Sequence, residues 1–294
     1  MGFARRPPPA AAPGGASAID TAATRIALLA LDLDGTVLGP GSDIAPAGRA
    51  ALQRAERSGV AVALATGRML RSARGVQERL GLHGPLITYN GGLVSLPDGR
   101  SWTDPLPVEA AQAIGAVCRA RGYYLQCYLG DELQVPFEDG RAEAYGRLAG
   151  VGYTVNPDAV WAPRTPPTKL LVIEPVERMP EVRAALAPVV AGRCELAHSY
   201  AHYLEISAAG VNKGVALARL AAALGVARAA VMAIGDGEND LSMVQYAGVG
   251  AAVANAVPAL AAAAAYVATR RCGDGVAEAV ERYLFPGAGR AGDA

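Results

Sequence analysis

The segment 26–38, IALLALDLDGTVL, joins an apolar run to a motif with two aspartates and a glycine. The run lacks the strict alternation of a half-exposed strand, as do strands that helices cover on both faces. Asp32 and Asp34 come at its carboxyl end, where open parallel sheets bind ligands. Gly35 then permits a sharp change of chain direction. The segment therefore predicts a central parallel strand that ends in a ligand site.

Apolar runs of strand length and segments of helix length alternate on both sides of the middle of the chain. This alternation indicates βαβ units, and thus an α/β fold with a doubly wound, Rossmann-like parallel sheet. Further strands are predicted at 60–65, 85–89, 231–234, 248–253 and 265–269, and helices at 46–58, 69–80, 213–224, 259–265 and 276–284.

The middle of the chain, 93–207, has a different pattern, with aromatic strand candidates near Trp102, Tyr123, Lys169 and Tyr203. Helical segments fall between these strands, so this part has enough residues for a core of its own. We expect an α/β cap domain, inserted into a core domain that consists of 25–92 and 208–284. The Pro- and Ala-rich stretch 1–24 is interpreted as a disordered tail and 285–294 as a C-terminal tail.

The composition excludes several classes of protein. Hydrophobic residues make up 52% of the 294 residues and charged residues 18%, which is enough apolar surface for a substantial core. The formal net charge of zero provides no field that would attract nucleic acid or an anionic membrane. No apolar run is long enough to span a bilayer, and residues 1–24 lack the apolar region of a secretory signal. We expect a cytoplasmic protein.

The four cysteines stand far apart in the sequence and show no C-x-x-C spacing, so they are interpreted as reduced thiols.

Carboxylates are concentrated at the predicted edge of the sheet. Asp32 and Asp34 are two residues apart and can share one face of a strand. Asp236, in the segment GDGEND at 235–240, follows a later strand. Clustered carboxylates repel one another, and a hard divalent cation such as Mg²⁺ would relieve that cost. The pattern therefore predicts a magnesium site.

Two further features could hold an anion at the same edge. Thr66-Gly67-Arg68 follows the second strand and precedes a helix, where a hydroxyl and backbone N–H groups can bind phosphate. Lys213 begins another helix and offers a cation. Taken alone, the first could be an ordinary strand-to-helix turn with Thr66 as the helix cap, and Lys213 could be a surface lysine. Arg68 is interpreted as a solvated or salt-bridging helix residue, with contact to the substrate as the less favoured alternative.

Together and in this order, DLDGTVL at 32–38, TGR at 66–68, Lys213 and GDGEND at 235–240 resemble the haloacid dehalogenase superfamily, and its Cof-like phosphatases most closely. The resemblance covers 25–284 and includes a large α/β cap inserted after the third strand. It implies a Mg²⁺-dependent phosphatase that hydrolyses small phosphomonoesters such as sugar phosphates, flavin mononucleotide or pyridoxal phosphate.

The resemblance also implies roles for individual residues. Asp32 would be the nucleophile that forms an aspartyl-phosphate, and Asp34 the acid and base. The metal would be held by the carboxylates of Asp32 and Asp236 and the backbone carbonyl of Asp34. Asp240 would support the metal or Lys213. The phosphoryl oxygens would be held by Thr66, Gly67, Lys213 and Asn239.

Alternatives remain open at this point. A phosphosugar mutase uses the same phospho-aspartate chemistry, and a non-catalytic phosphometabolite-binding protein would need the same pocket. The expected partner is a small phosphorylated metabolite, without nucleic acid or membrane, and the chain would be a monomer or homodimer. His198 and His202 have the spacing of a metal motif but lie in a strand-like stretch. The aromatic residues Trp102, Tyr123, Tyr124 and Tyr128 could line a substrate pocket or pack the cap sheet, and packing is the favoured role.

Overall fold

The computed structural model describes residues 25–286. The tail predicted at 1–24 and most of the C-terminal tail, from 287 onward, lie outside these residues. Within 25–286, none of the helices combines the length and the apolar character needed to cross a membrane.

Fourteen strands and ten α-helices make up the described part of the chain. The strands are β1 Leu28–Leu31, β2 Ala61–Ala65, β3 Leu86–Thr88, β4 Leu93–Ser95, β5 Ser101–Thr103, β6 Tyr124–Leu129, β7 Glu132–Val135, β8 Thr154–Val155, β9 Lys169–Ile173, β10 Cys194–Tyr200, β11 Tyr203–Ala208, β12 Val231–Gly235, β13 Val249–Ala252 and β14 Tyr266–Val267. The helices are α1 Pro46–Arg57, α2 Leu70–Leu80, α3 Val108–Arg121, α4 Arg141–Ala149, α5 Pro157–Trp161, α6 Met179–Val190, α7 Lys213–Ala223, α8 Leu241–Tyr246, α9 Pro258–Ala263 and α10 Cys272–Leu284.

The larger sheet has the strand order β14-β13-β12-β1-β2-β3-β4-β5. Its first six strands are parallel, and β1 lies between β2 and β12 at its centre. The α/β fold with a parallel sheet, which the sequence predicts, is confirmed. Because β1 and its neighbours run in the same direction, their carboxyl ends meet at one edge of the sheet.

Helices cover both faces of this sheet, which explains why the central strands are apolar throughout. Leu29 and Leu31 of β1 face a core shared with α1, α2 and α10. Leu28 and Ala30 face a second core shared with α7, α8 and α9. All four of these residues are fully buried. A strand with helices on both faces has no polar face, so alternation is absent from its sequence.

The predicted start of the inserted unit at Leu93 does not agree with the positions of strands β4 and β5. Both are antiparallel additions to the larger sheet, β4 beside β3 and β5 beside β4. A turn of only a few residues, Tyr89–Gly91, separates β3 from β4, and so short a connection favours an antiparallel neighbour. Trp102 accordingly packs against the larger sheet and not within the cap. We propose a cap of residues 104–207, inserted into a core formed by the rest of 25–284.

The cap, residues 104–207, contains a second sheet with the order β10-β11-β9-β6-β7-β8, antiparallel except between β7 and β8. One of its faces packs against α3 and α6, in a cluster that includes Tyr123. The other face carries Tyr124 and Tyr128, and Met69 and Tyr89 of the core contact it. The predicted packing role of these three cap tyrosines is therefore what the structure shows.

Candidate active site

Asp32 follows β1 directly and is 5% exposed. The Lys213 ammonium donates to Asp32 Oδ1 at 2.5 Å and to Asp240 Oδ1 at 2.6 Å. Burial and the neighbouring Asp240 raise the pKa of Asp32, while Lys213 lowers it. Burial lowers the pKa of Lys213, but the two carboxylates of Asp240 and Asp32 together outweigh this effect, so the net shift is upward. Lys213 is fully buried and therefore is not the surface lysine that its sequence context also allowed.

Asp240 organises the loop after β12. Its Oδ2 accepts hydrogen bonds from the backbone N–H groups of Asp236 and Gly237, both at 3.0 Å. Its Oδ1 accepts from Lys213, so both oxygens have partners within the protein. The side chain is fully buried. This geometry agrees with a supporting role for Asp240, in which it orients Lys213 and the segment that carries Asp236.

Asp236 is fixed by two residues besides Asp240. The Thr36 hydroxyl donates to Asp236 Oδ1 at 2.7 Å. The Asn255 amide donates to the Gly35 carbonyl at 2.8 Å and lies 3.4 Å from Asp236 Oδ2. Burial raises the pKa of Asp236 to about 6, although the Thr36 hydrogen bond lowers it. Gly35 has φ +90°, and a Cβ there would lie 2.3 Å from Asp236 Oδ2.

The donor set fits a hard divalent cation. Carboxylate oxygens of Asp32, Asp236 and Asp240 all lie within 4.8 Å of one another. Mg²⁺ prefers oxygen ligands, and a cation would offset the mutual repulsion that contributes to the raised pKa values of Asp32 and Asp236. The Asp34 carboxylate is not in this group, which leaves its backbone carbonyl as the ligand that the resemblance implies.

Asp34 is instead paired with Arg68. The guanidinium donates from Nε to Asp34 Oδ2 at 2.8 Å and from Nη2 to Oδ1 at 2.5 Å, which is the bidentate geometry of strong arginine–carboxylate pairs. Arg68 is 9% exposed and precedes α2, which begins at Leu70. The salt bridge predicted as one reading of Arg68 is present, but the residue is buried at the site and is not a solvated helix residue.

The predicted phosphate-binding residues lie beside these carboxylates. Thr66 follows β2, is 1% exposed, and its Oγ1 accepts from the backbone N–H of Arg68 at 3.1 Å. Thr66 does not cap α2, because the residue before that helix is Met69. The Asn239 amide donates to Asn90 Oδ1 at 3.2 Å, and Asn90 in turn lies against Gly67. The structure thus brings together all the site residues that the sequence singled out.

A cavity of about 600 Å³, including the part open to solvent, lies above these groups. Core and cap both line it, and the cap contributes residues from α4, from β11 and from the end of β10. The cap residues are Tyr145, Leu148, Ala149, Tyr200, Tyr203 and Glu205, and the core residues are Asp32, Asp34, Thr66, Gly67, Arg68, Asp236, Gly237 and Asn239.

Sequence reasoning missed three core residues of this site and the entire cap lining. Thr36 could have been found, because it belongs to the DLDGT segment. Asn255 follows β13 at the same edge of the sheet, so its position after a predicted strand was a weak signal. Arg68 was interpreted as a salt-bridging residue, but its partner Asp34 was not identified. Nothing in the sequence pattern indicates the cap residues. His198 and His202 belong to no group of potential metal ligands in the described chain.

Comparison with known proteins identifies the family of this chain. The sequence matches the model of the haloacid dehalogenase-like hydrolase family over residues 29–280. The chain belongs to this family. A similar family member is the HMP-PP phosphatase of Cronobacter sakazakii, 30% identical over 239 residues, which are 79% of this chain and 86% of that protein. Another is a 5-amino-6-(5-phospho-D-ribitylamino)uracil phosphatase of Bacillus subtilis, 30% identical over 282 residues, with coverage of 87% and 97%.

Solved structures of the family show the same fold. A haloacid dehalogenase-like hydrolase from Bacteroides thetaiotaomicron superposes with a TM-score of 0.79 at 28% identity, covering 88% of this chain and 99% of that chain. Family membership and the activities of the relatives make this chain an enzyme of the phosphatase class.

Proposed function

We propose that this family member is a Mg²⁺-dependent phosphatase that hydrolyses small phosphomonoesters through a phosphorylated Asp32. The observation that carries the proposal is the position of the Asp32 carboxylate. It lies at the floor of the cavity, 2.5 Å from a buried ammonium and beside two further carboxylates. A nucleophile needs an approach for the substrate, a neighbouring positive charge and a rigid support, and Asp32 has all three.

In the first half-reaction, an Asp32 oxygen attacks phosphorus in line with the leaving oxygen. Lys213, which already contacts Asp32, offsets negative charge on the transferred group. Thr66, Gly67 and Asn239 hold the phosphoryl oxygens. The Mg²⁺ ion, held by Asp32, Asp236 and the Asp34 backbone, would supply charge neutralisation at the phosphoryl group.

Asp34 serves both half-reactions in this scheme. It protonates the leaving oxygen when the bond to phosphorus breaks, and later takes a proton from the water that hydrolyses the phosphoryl-aspartate. Its carboxylate is held by Arg68 in this structure. Proton transfer requires that one Asp34 oxygen also reach the leaving oxygen of the substrate, and a carboxylate has lone pairs left for this contact.

The substrate class follows from the cavity and the relatives. The cavity has carboxylates and other polar groups on the core side and mostly tyrosine, leucine and alanine side chains on the cap side, a mixed lining that is typical of sites for small metabolites. The two relatives are named for HMP-PP and for 5-amino-6-(5-phospho-D-ribitylamino)uracil, which supports a small phosphorylated metabolite as the substrate here.

Phosphate release from a panel of small phosphomonoesters, with and without Mg²⁺, tests the proposal. We expect release that requires Mg²⁺ and is absent in Asp32→Asn, which keeps the size of the side chain but removes the nucleophilic carboxylate. Appreciable turnover by Asp32→Asn would refute the assignment of the nucleophile. Isomerisation of a phosphosugar without release would indicate a mutase, and tight binding of a phosphosugar without turnover would indicate a binding protein.

The intermediate can be tested separately. Rapid acid quenching during turnover of a ³²P-labelled substrate should leave label on the protein, at Asp32. Turnover without any protein-bound label under these conditions would contradict a phosphorylated Asp32.

A further inference from the structure

The chain contains only two lysines, Lys169 and Lys213, among its 27 basic Lys and Arg residues. Both are buried, with exposures of 1% and 0%, and both contact carboxylates near the active-site cavity. Arginine has a planar fork, whereas lysine has a compact ammonium with three donors, so the two are not interchangeable at a tight site. In a chain whose other basic Lys and Arg residues are all arginine, both lysines thus occupy buried positions beside carboxylates. The proposed mechanism uses only Lys213.

Lys169 joins the cap to the core. It is the first residue of β9, and its ammonium lies 2.5 Å from Glu205 Oε2 on the neighbouring strand β11. The same ammonium donates to the backbone carbonyl of Gly67 in the core at 2.8 Å. It also lies 4.6 Å from the centroid of the Tyr128 ring. Burial lowers the pKa of Lys169, but Glu205 and Tyr145 together outweigh it, so the net shift is upward and the ammonium stays charged.

The acceptor of this bond lies in the turn assigned to phosphate binding. The Gly67 carbonyl and the Arg68 N–H belong to one peptide group, and that N–H donates to the Thr66 hydroxyl at 3.1 Å. A cationic donor on a carbonyl polarises the peptide and strengthens the hydrogen bond that its N–H makes. One ammonium in the cap thus acts, through Gly67, on the orientation of the Thr66 hydroxyl.

We propose that Lys169 is a positioning residue, which holds the turn Thr66–Arg68 in its phosphate-binding conformation while the cap is docked on the core. The inference rests on the proposed function, because that function assigns the turn to the phosphoryl group. Lys169 acts through Gly67 and does not touch the phosphoryl group itself. Phosphoryl affinity and cap docking are linked as a result.

The test is a calorimetric titration of the Mg²⁺-loaded protein with inorganic phosphate, which has no leaving group. Lys169→Met alone leaves the Glu205 carboxylate buried without its cation and can unfold the protein. The informative variant is therefore the double substitution Lys169→Met/Glu205→Gln, which removes both charges. We expect it to bind phosphate about tenfold more weakly, equivalent to about 1.4 kcal/mol. KM for a phosphomonoester should rise by a similar factor, with a smaller change in kcat.

Two controls separate this effect from general loosening of the cap. Glu205→Gln alone keeps the Lys169 ammonium on Gly67 and should weaken phosphate binding less than the double variant. Asp131→Asn removes the charge from a different cap–core contact, the ion pair of Asp131 Oδ2 with Arg71 Nε at 3.3 Å, beside which the Tyr89 hydroxyl donates to Asp131 Oδ1 at 2.8 Å. It should bind phosphate like the wild type. Wild-type affinity in the double variant, or an equal loss in Asp131→Asn, would overturn the assignment of Lys169.

The lysine count permits a direct spectroscopic test. Selective ¹⁵N labelling of lysine gives two side-chain ammonium signals, and the one that disappears in the double variant belongs to Lys169. On addition of phosphate to the wild type, we expect both signals to shift. A shift of Lys213 alone would overturn the inference and leave the proposed function intact. A wild type that neither binds phosphate nor hydrolyses any phosphomonoester would overturn both.

Discussion

Replacement of Lys213 by methionine should destabilise the protein and abolish turnover, and the two effects can be measured separately. The Lys213 ammonium lies 2.5 Å from Asp32 Oδ1 and 2.6 Å from Asp240 Oδ1, at full burial. Methionine has a similar length but no charge, so both carboxylates lose their cation. Breaking a buried ion pair from one side typically costs about 3–5 kcal/mol.

This loss is a large part of a typical unfolding free energy, which is about 5–15 kcal/mol. In a chain of this size each kcal/mol lowers the melting temperature by about 2–4 °C, so we expect a decrease of about 6–20 °C. Thermal and urea unfolding in the presence of EDTA measure it without a contribution from bound metal. Phosphate release should fall by about a hundredfold or more, because the positive charge beside the nucleophile is lost.

The double variant Lys213→Met/Asp240→Asn separates stability from chemistry. It removes one of the two carboxylates that the single variant leaves without a cation, so part of the lost stability should return. Turnover should stay as low as in Lys213→Met. An unfolding free energy of Lys213→Met within about 1 kcal/mol of the wild-type value, which is close to the effect of an ordinary surface substitution, would refute the reasoning. Recovery of turnover in the double variant would refute it as well.

Three further predictions concern Gly35, Arg68 and the buried thiols. Gly35→Ala should raise the Mg²⁺ concentration needed for half-maximal activity, because its Cβ would displace Asp236. Gly59→Ala is the matched control, because Gly59 has φ +89° and Gly35 has φ +90°, but no atom lies within 4 Å of a Cβ at Gly59. We expect it to lose stability and to keep the wild-type Mg²⁺ dependence; equal Mg²⁺ dependence of the two variants would contradict this explanation. Arg68→Met should slow hydrolysis of alkyl phosphates more than that of p-nitrophenyl phosphate. Asp34 loses the partner that positions it, and the p-nitrophenolate leaving group needs no acid. Equal losses on both substrates would argue against a positioning role of Arg68. Burial raises the pKa of Cys118 and of Cys127 from 9.0 to about 12. Between these pH values the folded state retains thiol protons that the unfolded state loses, so the unfolding free energy should fall as pH rises from 9 towards 12. The fall should be smaller in Cys118→Ala/Cys127→Ala, and an unchanged slope would refute this origin.

The core part of the site could be predicted because local sequence determines it. Asp32 follows a strand whose apolar residues identify it without any knowledge of the fold, and Asp236 follows another. Parallel strands connected by helices place their carboxyl ends at one edge, so the chain positions of these residues already imply that they lie together. The contacts of Lys213 could not be predicted in the same way, because its place at the start of α7 does not by itself show that it points between Asp32 and Asp240.

The parts that escaped prediction depend on contacts between distant segments. Strands β4 and β5 have ordinary strand sequences, and only their pairing shows that they extend the larger sheet. In the sequence, Arg68 cannot be distinguished from other arginines near helix starts, and only the structure shows its contact with the Asp34 carboxylate. Lys169 lies in an apolar cap strand, and its partner Gly67 is about a hundred residues earlier in the chain.

This difference has a consequence for how the enzyme selects its substrate. The core residues that we propose to face the phosphoryl group are held by one another, as the contacts among Lys213, Asp32 and Asp240 show, so we expect that changing one of them disturbs the chemistry. The cap lining comes from α4 and the β10–β11 hairpin, and Tyr145 and Tyr200 make no hydrogen bond to the catalytic carboxylates among the described contacts. Such residues can vary while phosphoryl transfer remains intact. We therefore expect the cap to select the leaving group, while the same core chemistry could serve different phosphomonoesters.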